Sequence, residues 1–365
     1  MRVGILLEQA LAPVPGGTGR YSVELAAALV RTAATTDTVR SWTAWHRDLN
    51  PAAVAGVRGP GRLPLPRRPL AAAWERGVGP APRRVDVLHA PTPLFPPRRQ
   101  PLVVAIHDTV PWTHPETLTP RGARWHRAMA ARAAVQADAI TVPTRAVANE
   151  LVGFLPGLSP DRVHVLGGGV ARALLDDPGD GRVAGLPDEF ILSLATLEPR
   201  KGLDVLIAAL GRMGDKAPAL VVVGQPGWGG VDLAQVADAA AVRDVRMPGR
   251  LPDAELGAIL RRARALVAPS RAEGFGLPVA EAMAVGTPVI CSDIPALAEV
   301  AGDAAVLVPA GDPAALAAAL DDLLGDEAAL RKLAEAGLAR APRFDWDDVA
   351  RRAWQLYQDV LEQAA

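Results

Sequence analysis

Cysteine, lysine and long hydrophobic stretches are scarce in this chain of 365 residues. Cys291 is the one cysteine, so an internal disulfide is excluded and a reducing compartment is indicated. No run of about 18 apolar residues is available to span a bilayer. The apolar start at residues 3–7 is short for a signal peptide and stops at Glu8. We therefore expect a cytoplasmic protein.

Net charge is also nearly absent, because 39 Lys and Arg face 40 Asp and Glu. This balance gives no bulk attraction to nucleic acid, so we expect no nucleic-acid partner. The distribution is uneven: residues 1–180 hold 21 basic against 14 acidic residues, and the rest hold 18 against 26. Residues 50–84 carry seven arginines and one acid. We interpret them as a mobile basic flank with one short helix near residues 70–76. Such a flank is either solvated surface or a patch for a membrane surface or an anionic acceptor.

The length suits two domains, and short apolar runs alternate with amphipathic stretches along the chain. This alternation predicts an α/β fold made of repeated βα units. Three glycines at 167–169 and the polar run to Gly185 are typical of an interdomain linker. We therefore expect an N-terminal domain over residues 1–180 and a C-terminal domain over residues 181–345.

Two features of the first half lie where ligands commonly bind. Gly16, Gly17 and Gly19 form a glycine-rich loop after the first strand, and glycine allows backbone to approach a ligand closely. A dinucleotide fingerprint needs a third glycine where Ser22 stands, so no such cofactor is expected. His107 follows a strand at residues 102–106, at the end where parallel sheets bind ligands. It is either a ligand contact or a buried structural histidine.

No metal site is expected. The histidines His107, His114 and His126 lack the close pairing of a zinc-binding helix. The Asp345-Trp-Asp347 segment has the form of a divalent-cation motif, but it precedes the last helix, where Asp345 is better explained as an N-cap.

The segment from residue 265 to 291 carries the strongest local signal. A short strand at 265–268 runs into a turn with Glu273, and Pro278 suits the start of a helix. The N–H groups of the turn would face an anion at the positive end of that helix. These groups belong to Gly274, Phe275, Gly276 and Leu277. Glu281 would lie in the first helical turn, either as a ligand contact or as ordinary complementarity to the helix dipole.

Two adjacent cations, Arg200 and Lys201, stand before another predicted helix. Cations disfavour that end of a helix unless an anion is bound there. Lys201 is one of three lysines in a chain that otherwise uses arginine. An ammonium and a guanidinium together can neutralise a diphosphate leaving group.

The segment Glu-Gly-Phe-Gly-Leu-Pro-Val-Ala-Glu-Ala-Met-Ala at 273–284 resembles the Glu-x7-Glu segment of the retaining glycosyltransferases of family four. The resemblance implies a GT-B fold, in which two Rossmann-like βαβ domains face each other across a donor cleft. It implies that a last helix, at 346–365, crosses back to the first domain. Glu273 would face the donor hexose and Glu281 the ribose. Arg200 and Lys201 would clamp the diphosphate.

The same resemblance extends to other parts of the chain. It places Gly16 and Gly17 against the diphosphate and Arg250 and Leu251 near the nucleobase. Residues 108–116, Asp-Thr-Val-Pro-Trp-Thr-His-Pro-Glu, and residues 196–202, Thr-Leu-Glu-Pro-Arg-Lys-Gly, are similar to a mannosyltransferase-like branch whose donor is commonly GDP-mannose.

The expected function is a retaining, metal-independent transfer of a hexose from a nucleotide diphosphate sugar to a hydroxyl of a glycan or lipid-linked acceptor. The catalytic candidates are Glu273, His107, Arg200 and Lys201. No cofactor is expected, and contact with the inner face of a membrane is a further expectation. The alternatives are a transferase that uses a UDP-sugar, a nucleotide-sugar 2-epimerase and a non-catalytic module that binds a nucleotide sugar.

Overall fold

A computed structural model of the protein describes residues 1–176, 185–227, 229–230 and 232–364. The chain folds into two compact units. The N-terminal unit comprises Met1–Pro115, Thr119–Gly168 and Trp346–Ala365, and the C-terminal unit comprises Glu116–Leu118 and Gly169–Asp345. The chain thus leaves the N-terminal unit after Gly168. The boundary expected at residue 180 lies outside the described residues.

The described part of the N-terminal unit is built on one parallel sheet of seven strands. The strands are β1 (Arg2–Leu6), β2 (Thr38–Trp45), β3 (Arg58–Pro66), β4 (Val87–Ala90), β5 (Leu102–Ala105), β6 (Ala139–Val142) and β7 (Val163–Val165). Their order is β3-β2-β1-β4-β5-β6-β7, so the direction of winding reverses between β1 and β4. In such sheets, ligands bind outside the carboxyl ends of the strands at the reversal.

Helices cover both faces of this sheet, as its fully buried inner strands require. They include α1 (Gly16–Arg31), α2 (Arg67–Glu75), α3 (Val110–Thr113), α4 (Pro120–Gln136) and α5 (Arg145–Phe154). Two of them begin at threonine caps, where Thr119 accepts a hydrogen bond from Gly122 N and Thr144 accepts one from Val147 N. These caps satisfy backbone N–H groups at the starts of α4 and α5.

The described part of the C-terminal unit contains a second parallel sheet, of six strands. The strands are β8 (Ile191–Leu194), β9 (Leu220–Val223), β10 (Val245–Gly249), β11 (Ala265–Ala268), β12 (Val289–Ser292) and β13 (Val306–Val308). Their order is β10-β9-β8-β11-β12-β13, so the winding reverses between β8 and β11. This is the strand order of a doubly wound Rossmann sheet.

Apolar clusters pack on both sides of the second sheet. The helices are α6 (Arg172–Leu175), α7 (Leu203–Met213), α8 (Leu233–Ala239), α9 (Asp253–Arg262), α10 (Leu277–Ala284), α11 (Pro295–Ala301), α12 (Pro313–Leu324) and α13 (Glu327–Arg340). Asp312 and Asp326 cap α12 and α13, because their side chains accept hydrogen bonds from backbone N–H groups in the first turn of each helix. Pro252 takes the cap position of α9, and Asp253 is the first residue of the helix.

The last helix, α14 (Trp346–Ala364), belongs to the N-terminal unit. Its apolar face enters the same cluster as α1, and the indole of Trp354 donates a 3.2 Å hydrogen bond to Leu29 O. Asp347, in its first turn, accepts a 2.8 Å hydrogen bond from Nε of Arg31.

Two expectations for the first hundred residues are wrong. Gly16 and Gly17 do not form a loop, because they are the first residues of α1, with Gly16 at a φ of +60°. Residues 50–84 are not a mobile flank, because they contain the strand β3, whereas the short helix expected near residues 70–76 is present as α2. The sequence of β3, Arg-Gly-Pro-Gly-Arg-Leu-Pro-Leu-Pro, resembles a loop. Proline is tolerated there because β3 is an edge strand.

Candidate donor-binding site

Two loops at the winding reversal of the second sheet carry the main candidate residues. Ala265 in β11 lies opposite Ile191 in β8, so the loops that follow both strands start side by side. The loop after β8 leads to the short 3-10 turn Pro199–Lys201, and the loop after β11 leads to α10. A 2.8 Å hydrogen bond from Arg271 N to Arg200 O joins the two loops.

Glu273 is held by three donors from these loops. Its Oε1 accepts hydrogen bonds from Nζ of Lys201 at 2.6 Å and from Oγ of Ser270 at 2.8 Å. Its Oε2 accepts from Nη1 of Arg200 at 3.0 Å. The structure therefore brings together Arg200, Lys201 and Glu273, which the sequence singled out separately.

The charge state of Glu273 follows from this environment. Burial favours the neutral acid and raises its pKa. Lys201 and Arg200 oppose this through their charges, and the hydrogen bonds from Lys201 and Ser270 add to them. The net result is a pKa lowered to about 2, so Glu273 is a carboxylate at neutral pH and cannot supply a proton.

Glu198 is a member of the site that the sequence did not reveal. Its Oε1 accepts hydrogen bonds from Nε and Nη2 of Arg200 at 3.1 and 2.6 Å. Nη1 of the same arginine also bonds Ala272 O at 3.0 Å. Arg200 thus braces two carboxylates, Glu198 and Glu273, and its fork is directed at protein groups. One feature of the sequence could have indicated this role: in the Glu-Pro-Arg segment, the acid Glu198 stands two residues before the cation Arg200.

Arg271 locks the two loops together. Its Nη1 donates to Pro199 O at 2.8 Å, and its guanidinium pairs with both oxygens of Asp204 in α7 at 2.8 and 2.6 Å. This bidentate pair lowers the pKa of Asp204, where burial acts in the opposite direction. Gly202, between Lys201 and α7, adopts a φ of +65°. A Cβ there would lie 2.0 Å from Pro269 O, so the approach of the loops requires glycine.

The turn into α10 also depends on glycine. Gly276 has a φ of +90°, and a Cβ at this position would lie 2.3 Å from Cδ2 of Leu297. With Gly276 as its N-cap and Pro278 at its second position, the helix starts at Leu277. The turn before it contains Gly274 and Phe275.

The sequence suggested that Glu281 lies in the first turn of α10. This prediction is wrong, because Glu281 is the fifth residue of the helix. The helix begins one residue earlier than expected. Glu281 is 4% exposed.

A small pocket adjoins Glu273. Its walls include residues from both loops and from β8, among them Ser193, Ala195, Lys201, Ser270, Glu273 and Gly276. The carboxylate, the ammonium group and the start of α10 therefore share one recess. This arrangement can bind a group that is both hydroxylated and anionic.

The two candidates for the base lie farther along the sheet. Arg250 and Leu251 follow β10, the edge strand, which is separated from β8 by β9. Gly249, at a φ of +84°, accepts a 3.0 Å hydrogen bond from Gly224 N, which ties the ends of β9 and β10. Arg250 is exposed and Leu251 is half-buried.

His107 lies in the N-terminal unit, two residues after the end of β5. Its Nε2 is 2.7 Å from Pro91 O, so this nitrogen carries the proton, since a carbonyl only accepts. Burial lowers the pKa of His107, while the Pro91 carbonyl and Asp108 act in the opposite direction. The edge of its ring is packed against Tyr21 of α1, with centroids 4.7 Å apart. A neutral His107 presents Nδ1 as an acceptor.

In the ranges that the structure describes, no group of three or more His, Cys, Asp or Glu side chains is arranged to hold a metal ion. Within the same ranges, no helix has the length and hydrophobicity needed to cross a bilayer.

Two family models match the chain. The family described as "Glycosyltransferase Family 4" matches residues 15–173, and "Glycosyl transferases group 1" matches residues 183–340. Each match lies mainly on one of the two units.

Several curated proteins are similar in sequence. The O-antigen chain mannosyltransferase B of Escherichia coli is 34% identical over 46% of this chain and 45% of its own length. The phosphatidyl-myo-inositol mannosyltransferase of Mycobacterium leprae is 36% identical over 56% of each chain. The MMP alpha-(1->4)-mannosyltransferase of Mycolicibacterium hassiacum is 32% identical over 73% of this chain and 67% of its own. The chain therefore spans about half the length of the first two relatives.

Solved structures agree on the fold. Sucrose-phosphate synthase from Thermosynechococcus elongatus superposes with a TM-score of 0.77 at 22% identity over the whole of both chains. Anabaena HepE in complex with UDP and glucose gives 0.76 at 18% identity, over 98% of this chain and all of the other. The GT-B fold predicted from the sequence, with two Rossmann-like units, is confirmed. Together with the family matches and relatives, it shows that the chain belongs to the glycosyltransferases of family 4 and group 1.

Proposed function

We propose that the protein transfers mannose from GDP-mannose to a hydroxyl of a glycan or lipid-linked acceptor, with retention of configuration and without a metal ion. The observation that carries this proposal is the contact of Glu273 with Lys201, Arg200 and Ser270. The names of the three relatives, all mannosyltransferases, support the choice of sugar.

The proposed step exchanges one bond at the anomeric carbon. The bond from this carbon to the diphosphate oxygen breaks, and its electron pair leaves with the nucleoside diphosphate. The acceptor oxygen forms the new bond on the same face, and its proton passes to the departing phosphate oxygen. Because the leaving group takes the proton, no protein acid is needed, which fits a Glu273 that stays ionised.

Glu273 is proposed to orient the hexose. A carboxylate has about four acceptor positions, and the three observed donors leave room for a sugar hydroxyl. The charges of Lys201 and Arg200 keep it ionised, so it can also stabilise the positive charge that develops on the sugar ring as the leaving group departs.

Lys201 is proposed to bind the departing diphosphate together with the N–H groups at the start of α10. Described residues engage one of the three N–H donors of Lys201, through Glu273, so two remain for phosphate oxygens. Gly274, Phe275, Gly276 and Leu277 would add backbone donors at the positive end of the helix dipole. Arg200 would contribute its charge while its fork holds Glu198 and Glu273.

The remaining candidates keep proposed binding roles. Glu281 would bind the ribose, and Arg250 and Leu251 would contact the base. His107 would accept a hydrogen bond from a sugar hydroxyl through Nδ1, since Nε2 donates to Pro91 O. Gly16 and Gly17, at the start of α1, would offer backbone N–H groups to the diphosphate.

The basic N-terminal unit is proposed to meet an anionic membrane surface. Exposed arginines lie on β3, on α2 and in the segment after α2, and the exposed Trp45 ends the neighbouring strand β2. Arginine attracted to anionic lipid and tryptophan at the interface are typical of peripheral membrane contact.

A UDP-linked hexose is the second candidate donor, because HepE, whose fold is similar, was solved in complex with UDP and glucose. The test incubates the full chain with GDP-mannose or UDP-glucose and follows the release of nucleoside diphosphate, with and without glycan and lipid acceptors. Proton NMR of the product reports the anomeric configuration.

We expect release that depends on acceptor, an α-linked product from the α-linked donor and full activity in excess EDTA. Interconversion of free nucleotide sugars would favour an epimerase. Binding without turnover would favour a non-catalytic module. Loss of activity in EDTA that magnesium restores would contradict metal independence.

A further inference from the structure

One serine interrupts the apolar centre of the second sheet. The strands β8, β9 and β11 have the sequences Ile-Leu-Ser-Leu, Leu-Val-Val-Val and Ala-Leu-Val-Ala, so Ser193 is the single polar residue among them. Inner strands of a parallel sheet are covered on both faces and are usually apolar throughout. Ser193 is only 2% exposed, although serine is mostly a surface residue. A hydroxyl group at this position therefore requires a physical reason.

The hydroxyl of Ser193 has no hydrogen-bond partner within the described part of the chain. Unpartnered hydroxyls that are also sealed from any accessible space occur at Ser41 and Thr141, and Ser193 is not among them. Its Oγ therefore reaches accessible space, and Ser193 lines the pocket beside Glu273. A buried hydroxyl without a hydrogen bond costs free energy of folding. A hydrogen bond from a ligand in the pocket offsets this cost.

Ser193 lies on the floor of the pocket. It belongs to β8, and Ala268 of β11 lines the pocket beside it, whereas Lys201 and Glu273 line it from the loops that follow these strands. The rest of the lower wall is apolar and includes Leu194, Val279 and Leu297. A ligand group that reaches Ser193 therefore passes the charged side chains and meets a single hydroxyl in apolar surroundings.

Such a floor favours a neutral hydroxyl over a phosphate oxygen. A charged oxygen in an apolar recess needs several donors in place of water, and Ser193 has one O–H to donate. A hydroxyl on a carbon atom fits better, because its oxygen can accept from Oγ or donate to it while the carbon packs against the apolar wall. The hexose of a nucleotide sugar carries several groups of this kind.

We propose that Ser193 binds a hydroxyl of the donor hexose and is a specificity-determining residue of the transfer. This inference rests on the proposed function, because it adds a second contact to the sugar that Glu273 is proposed to orient. The contact distinguishes hexoses by the presence and direction of one hydroxyl. It has no part in binding the nucleoside diphosphate, so its effects on sugar and nucleotide are separable.

The test compares each nucleotide with its sugar conjugate in the full chain. Calorimetry measures the Kd for GDP and GDP-mannose, and for UDP and UDP-glucose, without acceptor. The variants are S193A, which removes only the hydroxyl, and S193C, whose thiol is a weaker donor. S292A is the matched control, because Ser292 ends β12 in the same sheet, is 1% exposed and, among the described residues, does not line the pocket. Thermal melting checks that each variant folds.

We expect S193A to weaken the binding of GDP-mannose by about tenfold, and S193C by less, because one hydrogen bond between neutral groups is lost. The Kd for GDP should hardly change in any variant, and S292A should bind both ligands as the wild type does. Monodeoxy analogues of GDP-mannose identify the partner of Ser193. The analogue without the contacted hydroxyl should bind the wild type weakly and should lose nothing further in S193A.

Equal weakening of GDP and GDP-mannose in S193A would overturn the inference in favour of a diphosphate contact. Unchanged Kd values for both ligands would overturn it in favour of a bound water only. Losses as large in S292A as in S193A would show a general effect on the sheet and would also contradict it.

The donor proposal and the Ser193 contact fail separately. If the protein binds only the UDP pair and S193A weakens UDP-glucose but not UDP, the donor assignment is wrong and the contact stands. If GDP-mannose binds through Ser193 but no acceptor supports turnover, the transfer proposal is wrong and the contact again stands. Binding of neither nucleotide sugar would overturn both.

Discussion

Nζ of Lys201 donates a 2.6 Å hydrogen bond to Oε1 of Glu273, although 72 positions separate the two residues in the chain. Both side chains are largely buried, with exposed fractions of 14% and 10%. A buried pair of this kind leaves an uncompensated charge when one partner is neutralised. The pair therefore couples the ionised state of the proposed catalytic carboxylate to the cation proposed to bind the leaving group.

Substitution of Glu273 by glutamine should separate catalysis from nucleotide binding. The amide keeps the shape of the side chain but loses the charge that faces the sugar. We expect turnover to fall by about 30-fold or more, while the Kd for nucleoside diphosphate changes little. Steady-state kinetics and calorimetry measure the two quantities.

The matched control is E335Q, which makes the same change on the exposed side of α13, far along the chain from the site. It should leave both quantities unchanged. If E273Q weakened nucleotide binding as much as turnover, Glu273 would belong to the nucleotide site and its assignment to the hexose would be wrong.

Arg271 should affect turnover through position alone. It holds the Pro199–Lys201 turn by a hydrogen bond to Pro199 O and by its pair with Asp204. We expect R271Q to lower kcat by about tenfold, because small displacements of catalytic groups are costly. The pair itself is partly exposed and contributes little to stability, so the melting temperature should change only slightly.

A double-mutant cycle with D204N identifies the mechanism. If the two side chains act as one unit, the double variant should be no slower than R271Q alone. R271K should recover part of the activity, because lysine keeps the charge but not the bidentate geometry. Additive losses from R271Q and D204N would contradict the positioning role.

A buried histidine in the N-terminal unit should make stability depend on pH. His89 in β4 is fully buried, and its Nδ1 lies 2.6 Å from the hydroxyl of Tyr357 in α14. Burial, together with the neighbouring His107, lowers the pKa of His89 to about 3. Between about pH 6.5 and 3, the unfolded chain therefore binds a proton at this position and the folded chain does not. The folded state loses stability as the pH falls through this interval.

We expect this histidine to account for about 2 kcal/mol of the stability lost between pH 7 and pH 5. H89Q should lose less stability than the wild type over that interval, as measured by urea unfolding at both pH values. Y357F keeps the histidine and removes only the hydroxyl, so it should retain the steeper pH dependence. Equal slopes in the wild type and H89Q would show that folding does not lower the pKa of His89.

The fold was predictable wherever periodic hydrophobicity and capping residues agree. The strand predicted at residues 265–268 matches β11, because a short apolar run marks its ends. The edge strand β3 was missed, since its prolines and glycines are typical of loops and its pairing with β2 is a tertiary effect.

The site was predictable residue by residue but not as a network. Local sequence singled out Lys201 and Glu273, whereas their contact depends on the pairing of β8 with β11, which no local pattern reveals. For the same reason the bracing roles of Glu198 and Arg271 became visible only in the structure. Roles that depend on a ligand, such as those of Arg250 and Leu251, remain predictions.

The donor assignment makes the last prediction. Lys201, Glu281 and the start of α10 are proposed to contact phosphate and ribose, which GDP and UDP share, so the base must be distinguished elsewhere. The candidate loops follow Gly224, at the end of β9, and Gly249, at the end of β10. The hydrogen bond between these two glycines keeps the starts of the two loops adjacent. If the donor is GDP-mannose, GDP should stabilise the protein more than UDP at equal concentration. A ligand that binds only the folded state, at about 100 times its Kd, stabilises by about 2.7 kcal/mol, which thermal melting resolves easily.

CDP, a pyrimidine nucleotide like UDP, is the control and should resemble UDP. Greater stabilisation by UDP would replace GDP-mannose with a UDP-hexose, while the proposed roles of Glu273 and Lys201 would stand, because both are proposed to contact the hexose and the diphosphate.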